Sequence, residues 1–256
     1  MNEIFEALAP LAVLANDWIP AAAALMARLS LLILMMPGLS GAGVPTRLKL
    51  IIALTLVVLI LPLTERVGAE TAGDYALLIF GEAFIGFALG FSVRVFVFAL
   101  NITGTIIAQA LSLSQIFGVT LEGDSSSQLA TVLIMAAATL FLTADLEVAM
   151  IGLLTDNLEV MPLGSASLLV SGAVAEQATR AAADALAFGV TLAVPFMVLN
   201  FAYYLVLGFL NRAMPQLMVT FVGIPAITLS GLILFTLAVS GLLALWLSRV
   251  SGSLAL

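Results

Sequence analysis

Long apolar runs, separated by short polar or proline- and glycine-containing stretches, dominate the pattern along the chain. A helix needs about 20 predominantly apolar residues to cross the roughly 30 Å hydrocarbon core of a membrane, and most of the runs reach that length. The pattern therefore predicts an all-α polytopic membrane protein with about six long and partly bent helices. The six runs are Trp18–Met36, Leu48–Leu63, Tyr75–Phe117, Gln128–Leu154, Ala181–Leu210 and Gln216–Leu247.

The third run is too long for a single straight crossing. At about 1.5 Å per residue it would form a helix of roughly 65 Å, about twice the hydrocarbon thickness. It contains Glu82, Arg94 and a few small polar residues, but no proline. We therefore predict a long or bent helix rather than a tight hairpin. A break, if there is one, is expected near Arg94 or within Asn101–Gly104.

The stretches between the runs predict loops that are too short to hold a soluble domain, so residues 1–256 form one predicted integral-membrane helical domain. The region before Trp18 contains no Lys or Arg, whereas a secretory signal needs a basic start. The first run is therefore expected to be a retained helix. The predicted loops are Pro37–Pro45, Pro62–Asp74, Gly118–Ser127, Thr155–Arg180 and Asn211–Pro215.

Composition supports a membrane protein and excludes several classes of function. Of the 256 residues, 63% are hydrophobic and 9% are charged, and the net charge is -7. Soluble domains carry about 25% charged residues. These values exclude a water-soluble enzyme, a disordered chain and a nucleic-acid binder. The chain has no Cys and no His, so thiol chemistry, thiolate metal sites and the usual neutral-pH base are absent. We expect no enzymatic activity and no cofactor.

The few basic residues predict an orientation, because cytoplasmic loops carry an excess of Lys and Arg. Arg47 and Lys49 end the first loop, and Arg212 lies in the short fifth loop. Placing these three residues in the cytosol makes both termini external and gives six consistent crossings. Arg94 then falls toward the cytosolic half of the third run.

Two charges inside the apolar runs need an explanation. Arg28 lies near the middle of the first run, where a lipid-facing cation costs at least about 2.5–3.5 kcal/mol. It could be an ion or substrate ligand, or it could form a structural pair with Glu82; the second interpretation is favoured. Glu82 stands beside Gly81, Gly86 and Gly90, and glycines at such spacing allow two helices to approach closely. These five residues predict a helix-packing or partner interface.

Two other local features have ordinary structural interpretations. Asp145 and Glu147 point to different sides of a helix, so they form a poor catalytic pair, and an interior polar spot or a helix break is expected. The segment Asn211–Gln216 predicts a hairpin tip, with Arg212 favourable at a helix C-terminus and Pro215 able to begin the next helix.

The same segment resembles a known family. Asn211–Gln216 followed by Phe221–Pro225 is similar to the Arg-x-x-Pro-Gln and Phe-x-x-Gly-x-Pro block of the FliR/SctT family, membrane subunits of the flagellar and virulence type III secretion export gate. Arg28 in the first span, the basic first loop and the Gly81–Gly90 segment match as well. The resemblance covers about residues 20–247, in the family's order.

The resemblance implies a spiral export-gate arrangement of bent helices, which would explain the overlong third run. It implies a non-enzymatic subunit of the bacterial inner membrane. The resemblance favours the flagellar system, and so a place in the flagellar basal body. FliP-like, FliQ-like and FlhB-like subunits would be its partners, and exported unfolded proteins its cargo. The cytosolic hairpin tip would comprise Asn211, Arg212, Pro215 and Gln216. A small-molecule or ion transporter is the alternative, followed by a membrane enzyme.

The resemblance also implies a channel plug. Family members place a hydrophobic loop after the third run to close the channel, and Ile116 and Phe117 lie at this position. A wide aqueous pore would leak ions unless bulky apolar side chains excluded water from it. An ordinary solvated loop is the alternative interpretation of this stretch.

Overall fold

In a computed structural model, the described part of the chain consists of seven α-helices and a short 3₁₀ helix at Leu61–Leu63, with no strand. The structure describes residues 2–40, 44–68, 71–112, 128–165, 173–213 and 219–254. This confirms the predicted all-α class. The helices are α1 (Asn2–Met35), α2 (Thr46–Ile60), α3 (Ala72–Ala110), α4 (Gln128–Thr143), α5 (Leu146–Val160), α6 (Ala173–Ala213) and α7 (Val219–Leu254).

The predicted membrane spans are confirmed within the described ranges. Five helical stretches are long and apolar enough to cross a membrane, and α4 together with α5 makes a sixth if the pair is one broken span. The five are Trp18–Met35, Thr46–Leu63, Ala72–Ala110, Ala178–Ala213 and Pro225–Leu254. Each corresponds to one of the apolar runs.

Helix α3 is a single uninterrupted helix of 39 residues, which is roughly 58 Å at about 1.5 Å per residue. The predicted long helix is therefore confirmed, and neither Arg94 nor Asn101–Gly104 interrupts it. The helix ends at Ala110, where Leu111 and Ser112 form a turn. Residues 113–117, the last of the predicted run, lie outside the described residues.

The fourth apolar run breaks between α4 and α5. Asp145 adopts the left-handed conformation, with φ 52° and ψ 30°. Few residues adopt this region readily, and Asp is among those that tolerate it. Of the two outcomes expected at Asp145 and Glu147, an interior polar spot or a helix break, the helix break is confirmed, and it coincides with the left-handed backbone of Asp145.

Two predicted loops prove to be largely helical. In the predicted loop Thr155–Arg180, α5 continues to Val160 and α6 already begins at Ala173. The charged residues that delimited this loop are compatible with helix; Glu176 and Arg180, for example, form an exposed i,i+4 pair at 2.5 Å. Helix α6 likewise continues through Ala213, so the first residues of the predicted loop Asn211–Pro215 are helical.

Close contacts divide the chain into two compact units. The first comprises Met1–Arg94, Asp145–Arg180 and Ser253–Leu256. Among its described residues, α1 and α2 pack against each other, and α1 lies directly against α3, as the glycine contacts below show. Its buried apolar side chains include Leu25, Leu29, Leu32, Val57, Ile85, Met150 and Leu154.

The second unit comprises Val95–Ala144 and Ala181–Gly252. It contains the C-terminal part of α3, all of α4, and most of α6 and α7. Its fully buried large side chains are those of Leu100, Ile107, Leu111, Leu133, Phe141, Phe196 and Trp246.

Large apolar side chains are also exposed along the membrane-spanning helices. They include Val58 and Leu59 of α2, Phe201 and Phe209 of α6, and Leu237 of α7. A soluble protein would be destabilised by exposing so much apolar surface to water. In a membrane, lipid or neighbouring apolar helices cover such faces, as expected for the predicted class.

Candidate functional site

A buried ion pair lies in the first unit, between α1 and α3. Arg28 Nε donates to Glu82 Oε2 at 2.6 Å, and Arg28 Nη2 lies 2.6 Å from the same oxygen. Both side chains are completely buried. The structure therefore brings the two residues together in the structural pair that the sequence favoured.

The guanidinium of Arg28 also binds the C-terminal end of α5. Its Nη1 donates to Asn157 Oδ1 at 3.3 Å and to the Met161 carbonyl at 3.1 Å, and its Nη2 donates to the same carbonyl at 3.2 Å. The last carbonyls of a helix lack partners within the helix, and a cation there is stabilised by the helix dipole. Arg28 thus caps α5 from another helix.

The Glu82 carboxylate has a second partner. Its Oε1 accepts a hydrogen bond from the backbone N–H of Gly164 at 2.9 Å. Gly164 has a φ of +85°, and its Cα lies against Val67, so the turn after α5 is held from two sides. Arg28 and Glu82 together fix this turn to α1 and α3.

The glycines beside Glu82 permit the close approach of α1 and α3. A Cβ on Gly86 would clash with the backbone of Arg28, and one on Gly90 would clash with the Met35 side chain. Gly86 faces Arg28 and Gly90 faces Met35, so the contacts move toward the C-terminus along both helices. The two helices therefore run parallel. The helix facing Gly86 and Gly90 is therefore α1 of the same chain, and Gly81 is half-buried on the neighbouring turn.

The charge cluster is densely partnered. A guanidinium has five N–H donors and no acceptor. Arg28 donates four hydrogen bonds, one to Glu82, one to Asn157 and two to the Met161 carbonyl, and its Nη2 also forms the ion pair with Glu82. Because both charged side chains are completely buried and held by these partners, the arrangement acts as a rigid structural clamp. Among the described residues there is also no group of three or more potential metal ligands.

Arg94 of α3 lies beside the C-terminal end of α1. Its side chain is half-buried, and Nη1 donates to Ser40 Oγ in the turn after α1. This contact continues the parallel register of α1 and α3. The placement of Arg94 toward the cytosolic half of the third run stays a prediction.

Two buried hydrogen bonds in the second unit were not predicted from the sequence. Thr103 Oγ1 donates to the Gly189 carbonyl of α6 at 2.8 Å, and Trp246 Nε1 of α7 donates to the Phe96 carbonyl at 2.9 Å. Both side chains are fully buried. A lone Trp or Thr within an apolar helix is the only available sequence signal, and it does not identify the partner helix.

Part of the predicted hairpin tip and the predicted plug lie outside the described residues. Asn211 and Arg212 form the exposed last turn of α6, as expected for a cation at a helix C-terminus. Pro215 and Gln216 of the tip, and Ile116 and Phe117 of the plug, are not among the residues that the structure describes.

Comparison with known proteins identifies the family. The chain matches the family described as "Bacterial export proteins, family 1" over residues 19–252. It is 31% identical over 233 residues to flagellar biosynthetic protein FliR of Caulobacter vibrioides, covering 89% of this chain and 92% of that relative. It is 32% identical over 193 residues to the FliR protein of Escherichia coli (strain K12), covering 74% of this chain and 72% of the relative. The resemblance found in the sequence is confirmed, and this chain belongs to the FliR/SctT family of bacterial export proteins.

Proposed function

We propose that this chain is a non-enzymatic subunit of the inner-membrane export gate of a flagellar type III secretion system. In this role it helps to form the protein-conducting channel. The observation that carries the proposal is the family match over residues 19–252. The fold supports it, since five described helices are long and apolar enough to span a membrane, or six if α4 and α5 form one broken span. Relatives that match most of the chain are named flagellar biosynthetic proteins, which favours the flagellar system.

The buried charge cluster supports a structural role over transport of small molecules. A transporter needs intramembrane charges that can exchange partners with a substrate or proton. Arg28 is instead completely buried and held by Glu82 and by the end of α5. The transporter alternative therefore has nothing in its favour among the described residues.

The proposed partners are FliP-like, FliQ-like and FlhB-like subunits, and the proposed cargo is unfolded exported protein. The exposed apolar side chains of α2, α6 and α7 support such an assembly, because they offer surface to lipid and to neighbouring helices. The proposed location is the bacterial inner membrane, at the flagellar basal body.

Two regions are proposed to have particular roles in this assembly. Ile116 and Phe117 would plug the closed channel, and the tip formed by Asn211, Arg212, Pro215 and Gln216 would be a cytosolic partner surface. The argument for the plug comes from the sequence, since bulky apolar side chains can close a pore by excluding water. The argument for the tip is its basic residue.

Purification in mild detergent tests the proposal. A gate subunit carrying an affinity tag should co-purify with several different membrane proteins in unequal and reproducible copy numbers, as measured by native mass spectrometry. A transporter should instead run as a monomer or a small homo-oligomer. Recovery of the tagged chain alone, from cells that assemble flagella, would contradict the proposal.

A further inference from the structure

Asn200 of α6 carries an amide oxygen that is buried and unpaired. Its Oδ1 atom has no hydrogen-bond partner among the residues that the structure describes, although Asn200 as a whole remains partly exposed. An amide oxygen in apolar surroundings without a donor costs free energy. Native proteins contain few such atoms, so this one calls for a physical explanation.

Other polar side chains of the second unit find their partners within the chain. Thr228 Oγ1 donates to the Leu111 carbonyl at 2.8 Å, and Thr103 and Trp246 donate to the backbone carbonyls described above. All three of these side chains are buried. The hydrogen bonds that hold the second unit together are therefore satisfied internally, and the oxygen of Asn200 takes no part in them.

The position of Asn200 along α6 limits what can supply the missing donor. Residues 185–210 carry no charge and lie within one helix, where they extend over roughly 39 Å at about 1.5 Å per residue. Asn200 lies near the middle of this stretch, and the hydrocarbon core of a membrane is about 30 Å thick. Water does not solvate that core, and acyl chains carry no donor. The donor therefore has to come from protein.

Asn200 lies on an exposed apolar face of α6. Met197 is three residues before Asn200 and Tyr204 is four residues after it, so the three share one side of the helix. Phe201 lies between them. Met197, Phe201 and Tyr204 are 45%, 66% and 56% exposed, and aromatic residues and Met are enriched where proteins bind each other. We call Met197, Asn200, Phe201 and Tyr204 the Asn200 face.

We propose that the Asn200 face binds a membrane-spanning helix of a neighbouring export-gate subunit, and that this helix presents a hydroxyl or amide group to Asn200. The inference rests on the proposed function, in which the chain assembles with other membrane subunits. The terminal torsion of Asn is broad, so its amide can turn Oδ1 toward the partner. Hydrogen bonds of this kind join helices in membranes, whereas a lipid acyl chain on the same face would leave the oxygen unpaired.

Two measurements on Asn200→Leu test this inference. Native mass spectrometry gives the ratio of assembled to free tagged chain during a detergent titration, and this ratio should fall roughly threefold to tenfold on loss of one hydrogen bond between membrane helices. Thermal unfolding of the separately purified chain should show that the variant is at least as stable as the unsubstituted chain, because a buried oxygen without a partner has been removed.

Matched controls come from the same position and the same helix. Asn200→Gln keeps the amide and should restore most of the assembly. Thr191 is exposed, and its hydroxyl bonds to the Ala187 carbonyl within α6. Thr191→Val therefore removes a polar group that needs no external partner, and the ratio of assembled to free chain should not change.

The outcomes separate this inference from the proposed function. If the unsubstituted chain co-purifies with other subunits and Asn200→Leu assembles equally well, the hydrogen bond to a neighbour is wrong and the proposed function survives. Equal losses from Asn200→Leu and Asn200→Gln, or a less stable separate chain in Asn200→Leu, would also overturn the inference, since shape or internal folding would then explain the effect. If the unsubstituted chain is recovered alone or only with copies of itself, the proposed function and this inference both fail.

Discussion

Arg28 and Glu82 show how charge is retained within apolar helices. The membrane core offers no water to solvate either group, so each must find its partners within the protein. The pair does more than neutralise itself, because Arg28 also caps the Met161 carbonyl and Glu82 also binds the Gly164 N–H. Three chain segments that are distant in sequence depend on these two side chains.

Removing one member of this pair should be strongly destabilising. Arg28→Met leaves the Glu82 carboxylate buried without its cation, and the expected loss is about 3–5 kcal/mol. The double variant Arg28→Met/Glu82→Met removes both charges, so its loss should be smaller than the sum of the two single losses. Thermal unfolding of the purified chain in detergent measures each effect.

The exposed pair of Arg180 with Glu176 provides the control. Arg180→Gln should change the unfolding temperature little, because exposed ion pairs contribute little to stability. Strictly additive losses in the Arg28 and Glu82 double variant would mean that the two side chains act independently, against the geometry.

At the scale of helices, the break at Asp145 is a feature that substitution can test. Its φ of 52° is unfavourable for residues with a side chain, and its side chain makes no capping hydrogen bond. Asp145→Gly should therefore be neutral or stabilising, whereas the β-branched Asp145→Val should cost about 1–2 kcal/mol. Thermal unfolding in detergent distinguishes the two, and equal stability of both variants would show that this conformation is not required.

The sequence predicted the helices better than their partners. Apolar runs predicted the spans because every residue contributes to the pattern, and the absence of proline predicted the continuous α3. The charged residues of Thr155–Arg180 led to the prediction of a loop that is largely helical, because charged residues are also compatible with the ends of long helices. The capping of α5 by Arg28, and the contact of Thr228 with Leu111, join segments 133 and 117 residues apart. No local pattern identifies such pairs.

At the scale of the whole molecule, the orientation in the membrane is a testable prediction. The chain contains no Cys, so a single introduced thiol gives an unambiguous signal. Ala213, exposed at the end of α6, is predicted to lie in the cytosol. An impermeant thiol reagent should label Ala213→Cys only after the inner membrane of spheroplasts is permeabilised.

A matched position, predicted to lie on the opposite side of the membrane, is Gly68, which is exposed with open space around its Cα. Gly68→Cys should be labelled in intact spheroplasts under the same conditions. Labelling of Ala213→Cys before permeabilisation, with protection of Gly68→Cys, would mean that the predicted orientation is inverted.

The separation of Arg28 from its partners along the chain has a consequence for biogenesis. The N-terminus is made first, and Glu82 follows Arg28 by 54 residues, which takes roughly 3–10 s at ribosomal speed. The Met161 carbonyl follows Arg28 by 133 residues. During this interval α1 carries a cation whose partners in the folded chain have not yet been made. We therefore expect α1 to be stable within the bilayer only after α3 has been made. Until then, other polar groups at the site of membrane insertion have to stabilise the charge of Arg28.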